Sequence, residues 1–249
     1  MIRSIKELTG YSIRATDGDI GAASDFYFDD LEWKLRYLVV NTEDWLPGRE
    51  VLISPVAVGQ PNWGVRMIPV NLTRRQVETS PDVGTDRPVS RVQEEQMTGY
   101  YGWPVYWDIG AIYAPPPMDY TPEYVPPVEG ARPERERPVD PHLRSARDLM
   151  GYYIEAAGGD IGHVDDLLLD DESWAVRFLV IDTSNWWIGK KVLIAPDWAQ
   201  RISWEDRRVY VSLEKEQIRG APEFDPSQPV DREYERRLYE YYGRRSWHA

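Results

Sequence analysis

The chain of 249 residues contains no cysteine, three histidines and four phenylalanines. Without cysteine it can form no disulfide, no thiolate nucleophile and no cysteine-ligated zinc or iron–sulfur site. No run of apolar residues approaches the roughly 18 that span a bilayer, and the first residues lack the apolar stretch of a secretory signal. We therefore expect a soluble, cytoplasmic protein with no transmembrane segment.

Basic residues are in the minority. Lys and Arg number 29 against 42 acids, which gives a formal net charge of −13. Direct binding to nucleic acid depends on clustered Lys and Arg that neutralise phosphates, so the sequence predicts no nucleic-acid partner. The 42% of hydrophobic residues is enough for a packed core and excludes wholesale disorder.

Motifs of catalysis are also missing. The histidines are His142, His163 and His248, and no Gly-x-Ser-x-Gly elbow, phosphate-binding loop or dinucleotide fingerprint accompanies them. We expect no enzymatic activity, no catalytic residue and no cofactor.

An internal duplication organises the chain. Shifting the sequence by 141 residues aligns it with itself without a gap, and 37 of the 99 pairs from Ser4 to Gly102 are identical. Two copies of this length indicate tandem domains, since solenoids stack more and shorter units. The sequence predicts a first domain over 1–103 and a second over 142–249. Residues 104–141 hold 10 of the 20 prolines and predict a semi-rigid linker.

Each copy has the pattern of a mainly β domain. Turn dipeptides at 17–18 and 158–159 predict hairpins, and Gly21 and Gly162 are placed for a bulge or a close approach of two backbones. Strands are expected over 19–28, 33–40 and 51–53, with a further hairpin over 63–70 and its counterpart over 202–211. Both faces of the 33–40 strand become apolar, which favours closure into a small barrel. Short helices are expected over 72–78 and 213–219 and after the capping residues Ser90 and Asp231.

Acidic turns are weak candidates for metal ligands. Carboxylates at Asp29 and Asp30, and at Asp170 and Asp171, could hold a hard cation. The spacing of a calcium-binding loop is absent, and a solvated hairpin turn explains the same residues. We expect no metal site.

Aromatic residues with a polar edge are abundant, with 11 Trp and 16 Tyr. Such rings are common at interfaces. One cluster follows the helix after Ser90 and has two interpretations, an apolar lid over the barrel or a surface for a partner. A second candidate surface is a hairpin tip in each copy, where a tryptophan precedes a basic residue. The candidate partner-binding residues are Tyr100, Tyr101, Trp103, Tyr106 and Trp107 in the cluster, and Trp45 with Arg49 and Trp186 with Lys190 at the tips.

The order of motifs resembles the PRC-barrel family. Both copies carry a leader ending in Leu-x-Gly, a Gly-Asp-Ile-Gly hairpin, an Asp-Asp turn and an apolar strand, at 8–10, 18–21, 29–30 and 37–40 and again at 149–151, 159–162, 170–171 and 178–181. The resemblance implies two tandem small β-barrels with short appended helices, joined by the proline-rich linker.

The resemblance also implies a style of function. PRC barrels occur in the cytoplasmic part of the H subunit of photosynthetic reaction centres and in the C-terminal domain of a 16S rRNA ribosome maturation factor, where they present a surface to a partner. We therefore predict a non-catalytic adaptor that binds a protein partner. Its two barrels are expected to pair within the chain or in a homodimer. The alternatives are an accessory factor of photosynthetic or other membrane electron transfer, associated peripherally with the membrane, and a ribosome-maturation factor that binds a basic ribosomal protein.

Overall fold

We describe the protein from a computed structural model. The structure describes residues 1–42, 45–82, 89–107, 143–183 and 189–244. Most of the predicted linker and the hairpin tip with Trp186 lie outside these residues.

The first half is mainly β. One short helix follows the first strand, and two more follow the last strand. Its elements are β1 (Ile2–Ser4), α1 (Ile5–Leu8), β2 (Ser12–Ala15), β3 (Gly18–Asp29), β4 (Lys34–Asn41), β5 (Glu50–Ile53), β6 (Met67–Pro69), α2 (Arg74–Glu78) and α3 (Arg91–Tyr101).

The second half repeats this order and adds one strand. Its elements are β7 (Leu143–Ser145), α4 (Ala146–Leu149), β8 (Tyr153–Ala157), β9 (Gly159–Asp170), β10 (Val176–Asp182), β11 (Lys191–Ile194), β12 (Ala199–Ser203), β13 (Arg208–Glu214), α5 (Lys215–Gly220) and α6 (Arg232–Tyr241).

Two sheets follow from these strands. One has the order β5-β4-β3-β2-β6, and the other has the order β11-β10-β9-β8-β13-β12. Within the described residues neither sheet closes into a barrel, so the expected closure is wrong. Each sheet is instead extended by a strand from the other half, since β7 pairs with β3 and β1 pairs with β9. One of the apolar faces that suggested closure, with Leu38 and Val40, is buried in a core cluster that includes residues of both halves. The other, with Tyr37 and Val39, is buried in a smaller cluster that includes Leu143.

Gly21 and Gly162 lie where two backbones meet, as predicted. A Cβ atom on Gly21 would collide with the carbonyl of Asn41, and one on Gly162 would collide with that of Asp182. Both glycines also have positive φ angles, 136° and 151°. Only glycine combines this conformation with this space, which lets the long strands β3 and β9 bulge against β2 and β8.

Other details differ from the sequence prediction. The helix expected at 72–78 begins at Arg74 behind Thr73, whose side chain and that of Gln76 form a reciprocal capping box. The one expected at 213–219 begins at Lys215, because Leu213 still belongs to β13. The helices after Ser90 and Asp231 are confirmed, each with the predicted cap.

The hairpin expected at 63–70 is reduced in the first half. A 3-10 turn occupies Trp63–Val65, and β6 pairs with β2. On its other side the segment makes the isolated bridges of Asn62 with Met67 and Val58 with Val70. The second half forms the full hairpin of β12 and β13. Pro61 lacks the N–H that a regular ladder requires, whereas its counterpart Ile202 has one.

Candidate interaction surfaces and the contact between the halves

The two halves exchange their first strands. Ser4 of β1 lies opposite Leu168 of β9, and Ser145 of β7 lies opposite Tyr27 of β3. The two contacts are equivalent under the 141-residue shift. The halves are therefore related by an approximate twofold operation and are tied together by backbone ladders.

Two buried carboxylates hold the exchanged segments. Asp25, 3% exposed, accepts hydrogen bonds from Ser145 Oγ at 2.5 Å and from the backbone N–H of Arg147 at 3.1 Å. Asp166, 7% exposed, accepts the equivalent bonds from Ser4 Oγ and the N–H of Lys6. Burial raises the pKa of both carboxyls, and these hydrogen bonds oppose the rise.

A second pair of polar contacts flanks the first. Arg3 Nε lies 3.2 Å from Asp171 Oδ2, and Arg144 Nε lies 3.2 Å from Asp30 Oδ2. All four side chains are partly buried, so these ion pairs are less exposed to water than ordinary surface pairs.

Tryptophan rings cover these arginines. The Arg3 guanidinium lies 4.1 Å from the centre of the Trp63 ring, and that of Arg144 lies 4.5 Å from the centre of the Trp204 ring. Trp204 Nε1 also donates a hydrogen bond to Asp30 at 3.1 Å. Arg3 and Arg144 are therefore each held by an ion pair with an aspartate and by a cation–π contact with a tryptophan.

The turns before β4 and β10 contact each other through reciprocal backbone hydrogen bonds. The carbonyl of Trp174 accepts a hydrogen bond from Leu35 N at 2.8 Å, and the carbonyl of Trp33 accepts one from Val176 N at 2.7 Å. Both tryptophans adopt the left-handed conformation, with φ of 52° and 56°. Bulky residues rarely adopt this conformation, and here the opposite turn makes a hydrogen bond to each of them.

The acidic turns make protein contacts. Asp29 Oδ1 accepts the backbone N–H groups of Leu31 and Glu32, and Asp170 Oδ1 accepts the N–H and hydroxyl of Ser173. Asp30 and Asp171 bind the arginines of the opposite half. Among the described residues no group of three or more His, Cys, Asp or Glu is arranged to hold a metal ion.

The basic residues of the hairpin tips, Arg49 and Lys190, form hydrogen bonds within the protein. Arg49 Nη1 donates to the carbonyl of Glu78 at 2.6 Å, and its Nη2 donates to the hydroxyl of Ser80 at 2.9 Å. Lys190 Nζ donates to the carbonyl of Ala221 at 2.6 Å. Both cations thus bind the C-terminal ends of α2 and α5, where exposed carbonyls favour positive charge.

Trp45 is half-buried beside this contact. Its ring packs against the core cluster, and the Arg74 guanidinium lies 4.6 Å from the ring centre. Trp186, its counterpart, lies outside the described residues. The part of the tip that the structure describes therefore combines an anchored basic residue with a partly accessible indole.

The first part of the aromatic cluster packs as a cover. Tyr101 and Trp103 stack at a ring distance of 4.1 Å and lie against the core. Tyr100 donates a hydrogen bond to the carbonyl of Gln76 at 2.9 Å. Burial raises the pKa of Tyr101. These contacts fix α3 over α2.

The second part of the cluster fills a polar pocket. The Tyr106 hydroxyl donates to Glu94 Oε1 at 2.7 Å, and Glu94 is fully buried. The Arg36 guanidinium lies 3.8 Å from the Tyr106 ring centre, and that of Arg91 lies 4.0 Å from the ring centre of Trp107. We call the set of Arg36, Arg91 and Glu94 the Tyr106 pocket.

The sequence prediction assigned no residue to the contact between the halves, and it named Asp30 and Asp171 only as weak candidates for metal ligands. Ser4 and Ser145, and Asp25 and Asp166, are among the identical pairs of the duplication. The available signal was that the same aspartate occurs in both copies inside an otherwise apolar strand. A buried carboxylate needs hydrogen-bond partners, so such a residue indicates a specific contact. Nothing in the sequence shows that these partners come from the other copy.

Most of the second half matches a known domain family. Residues 143–218 match the PRC-barrel domain family. This PRC-barrel segment runs from β7 to α5 and includes Ser145 and Asp166. No curated protein matches the chain. Among the described residues, no helix is long and apolar enough to cross a membrane.

Proposed function

We propose that the protein is a non-catalytic protein-interaction protein, an adaptor, in which two PRC-type halves form one body. The reciprocal exchange of β1 and β7 carries this proposal. It fixes the position of one half relative to the other. The PRC-barrel match of residues 143–218 supports a role in protein interaction.

The first half has the same type of fold in this proposal. It repeats the order of the elements, the backbone approach at Gly21 and the Asp25 contact, although the family model matches only the second half. These equivalent contacts support two PRC-type units.

The partner surface in this proposal comprises the two hairpin tips. Arg49 and Lys190 are each anchored to a helix end, and in this proposal Trp45 and Trp186 supply the contact. Half-buried tryptophans with a polar edge are frequent hot spots of protein interfaces. Two equivalent tips would let one molecule engage a twofold or repeated target with avidity.

The experiment is purification of the tagged full chain from its own cells, with nuclease treatment, followed by quantitative mass spectrometry. A protein partner that is recovered with the wild type, lost with the double variant Trp45→Ala and Trp186→Ala, and retained with Val65→Ala supports the proposal. Val65 is the matched control, since it is an exposed apolar residue outside the tips. The melting temperatures of the three proteins must agree within a few degrees. A folded protein recovered without any partner contradicts the adaptor.

The same purification tests the two alternatives from the resemblance. Recovery with membrane electron-transfer components, lost after the membranes are stripped of peripheral proteins, would favour the first alternative. Recovery with ribosomal subunits in a sucrose gradient would favour the second.

A further inference from the structure

Strand β12 is an open edge of its sheet. Among the described strands it pairs only with β13, and the rest of the sheet continues on the far side of β13. After a register shift near Gln200, the residues from Arg201 to Ser203 pair regularly with β13. An edge strand presents a row of backbone N–H and C=O groups to which another extended chain can add.

The hydrogen-bond pattern indicates which backbone groups of β12 face outward. In the first half, Asn62 N donates to the carbonyl of Met67 at 2.8 Å, and Met67 N donates back at 3.1 Å. Ser203 and Arg208 are the equivalent pair in the second half. Hydrogen-bonded and non-hydrogen-bonded pairs alternate along antiparallel strands, so the N–H and C=O of Ile202 point away from β13.

The first half differs at the same position. The 141-residue shift aligns Ile202 with Pro61, which has no N–H for a ladder with a further strand. It also aligns Arg201 with the uncharged Gln60. An open edge with a positive charge therefore distinguishes the second half from the first.

A groove of about 320 Å³ runs along this edge. Four consecutive residues, 199–202, line the groove, although the side chains of successive strand residues point to opposite faces of a sheet. The groove therefore follows the edge of β12 and not one face of the sheet. Leu31 and Trp33 of the first half also line it, as do Arg144 and Trp204, so the groove lies between the halves. We call it the β12 groove.

The charges of the β12 groove favour an acidic occupant. Its charged residues are Asp30, Arg144 and Arg201, so two cations accompany one carboxylate in a chain of net charge −13. Arg144 is paired with Asp30. Arg201 is exposed, and its guanidinium lies 4.3 Å from the centre of the Tyr210 ring, which leaves its charge accessible to a carboxylate from outside.

We propose that the β12 groove binds an extended, acidic segment of a partner protein as an additional strand, through the backbone of Ile202 and a carboxylate placed against Arg201. The backbone ladder supplies affinity, and the side chain supplies selectivity. A second copy of the chain fits less well, because paired strands lie about 4.8 Å apart and its own β12 is flanked by the same first-half residues. The lining residues belong to neither hairpin tip, so the proposal is independent of the adaptor surface.

Selection of phage-displayed random twelve-residue peptides on the purified full chain tests the proposal. We expect enriched peptides in which an acidic residue occurs among alternating apolar residues. Fluorescein-labelled copies of these peptides should bind saturably in fluorescence anisotropy. Ile202→Pro removes the outward N–H and should weaken binding about tenfold or more, and Arg201→Glu should do the same by removing the cation.

Matched variants separate these effects from a general loss of structure. Ile202→Val retains the N–H and should bind as the wild type does. Arg75→Glu makes the same charge change on α2, at an exposed residue outside the groove, and should also leave binding unchanged. The melting temperatures of all variants must agree within a few degrees.

A series of peptides with single backbone N-methyl groups tests the ladder without changing the protein, and so applies even if Ile202→Pro does not fold. Methylation should abolish binding at alternate peptide positions, because every second N–H of an added strand faces β12. The Ile202 amide should exchange its hydrogen at least about tenfold more slowly when a peptide is bound.

Three results would overturn the proposal. The first is a selection from which no peptide is enriched. The second is a set of enriched peptides that bind folded Ile202→Pro as tightly as the wild type, or that tolerate N-methylation at every position. The third is a homodimer, measured by light scattering, that Ile202→Pro dissociates, since β12 would then be closed by a second copy.

Discussion

Ser145 Oγ donates a hydrogen bond of 2.5 Å to Asp25 Oδ2, although 120 residues separate the two in sequence. Ser4 makes the same bond to Asp166. A serine at the start of each copy thus donates a hydrogen bond to a buried carboxylate of the other copy. These two bonds, together with the strand ladders beside them, define the register in which the halves combine.

Removal of one of these carboxylates should destabilise the whole protein. Asp25→Ala leaves the Ser145 hydroxyl and the Arg147 N–H without their acceptor, and we expect the free energy of unfolding to fall by about 1–3 kcal/mol. Urea unfolding measures this change. Asp19→Ala is the control, because Asp19 is exposed and forms a surface ion pair with Arg14, and its effect should stay below about 1 kcal/mol. Equal effects of the two variants would contradict the role given to Asp25.

The pH dependence of Asp25 follows from its raised pKa. Its folded-state pKa lies above the ordinary value of 3.8, so the folded protein binds the proton more tightly than the unfolded chain. This contribution to stability is fully present below the ordinary value and is lost as the pH rises through the folded-state pKa. We expect the melting temperature of the wild type, relative to Asp25→Asn, to rise as the pH is lowered from neutral toward 3.8.

The comparison with Asp19 gives this prediction an internal control. A hydrogen bond from Arg14 lowers the pKa of Asp19, so the sign is reversed. The wild type should lose stability relative to Asp19→Asn as the pH falls through that lowered pKa. Melting curves of the three proteins across the pH range provide the measurement, and the same sign for both positions would refute the assignment.

The close approach at Gly21 predicts a strong effect of a single methyl group. Gly21→Ala forces a Cβ into the Asn41 carbonyl at a positive φ, and we expect a loss of at least about 2–3 kcal/mol. Gly99→Ala is the matched substitution, because Gly99 lies in α3 with open space around it. It should stabilise the protein by about 0.5–1 kcal/mol through helix propensity. Chemical denaturation compares the two, and a tolerated Gly21→Ala would show that β3 and β4 can separate there.

Arg49 offers a test that separates a helix cap from a partner contact. Arg49→Ala removes the donors to the last carbonyls of α2, so we expect faster amide hydrogen exchange over 75–80 and a loss of about 1–2 kcal/mol. Arg49→Lys should retain most of this stability, because lysine does the same at position 190. Unchanged exchange in Arg49→Ala would show that the side chain contributes nothing to the helix end.

Local structure was predictable where one segment contains its own signals. The turn dipeptide at 17–18 and the acidic turn at 29–30 predict a strand over 19–28, and β3 extends one residue beyond each of these limits. The capping residues Ser90 and Asp231 mark the beginnings of α3 and α6. These features depend on neighbours within a few residues, and a sequence pattern records such neighbours well.

Contacts between distant segments were not predictable in the same way. β1 has three residues, too few for a periodic pattern, and its partner strand lies more than 160 residues away. Arg49 and Lys190 are basic residues of a type common in recognition loops. In the fold, however, both side chains donate to carbonyls at helix ends that are distant in sequence. The Tyr106 pocket was not predictable either, because Arg36 lies in β4, Arg91 begins α3, and Tyr106 follows the end of that helix.

The covalent joining of the halves has a consequence for how the molecule can change. In a twofold assembly of identical chains, every substitution appears twice, on both sides of the axis. Here one side can change alone. Ser24 donates to Glu50 in the first half, whereas the corresponding residues of the second half, Asp165 and Lys191, form an ion pair. The contact between the halves stays symmetric, whereas the outer surface of each half can acquire its own substitutions and bind a different partner.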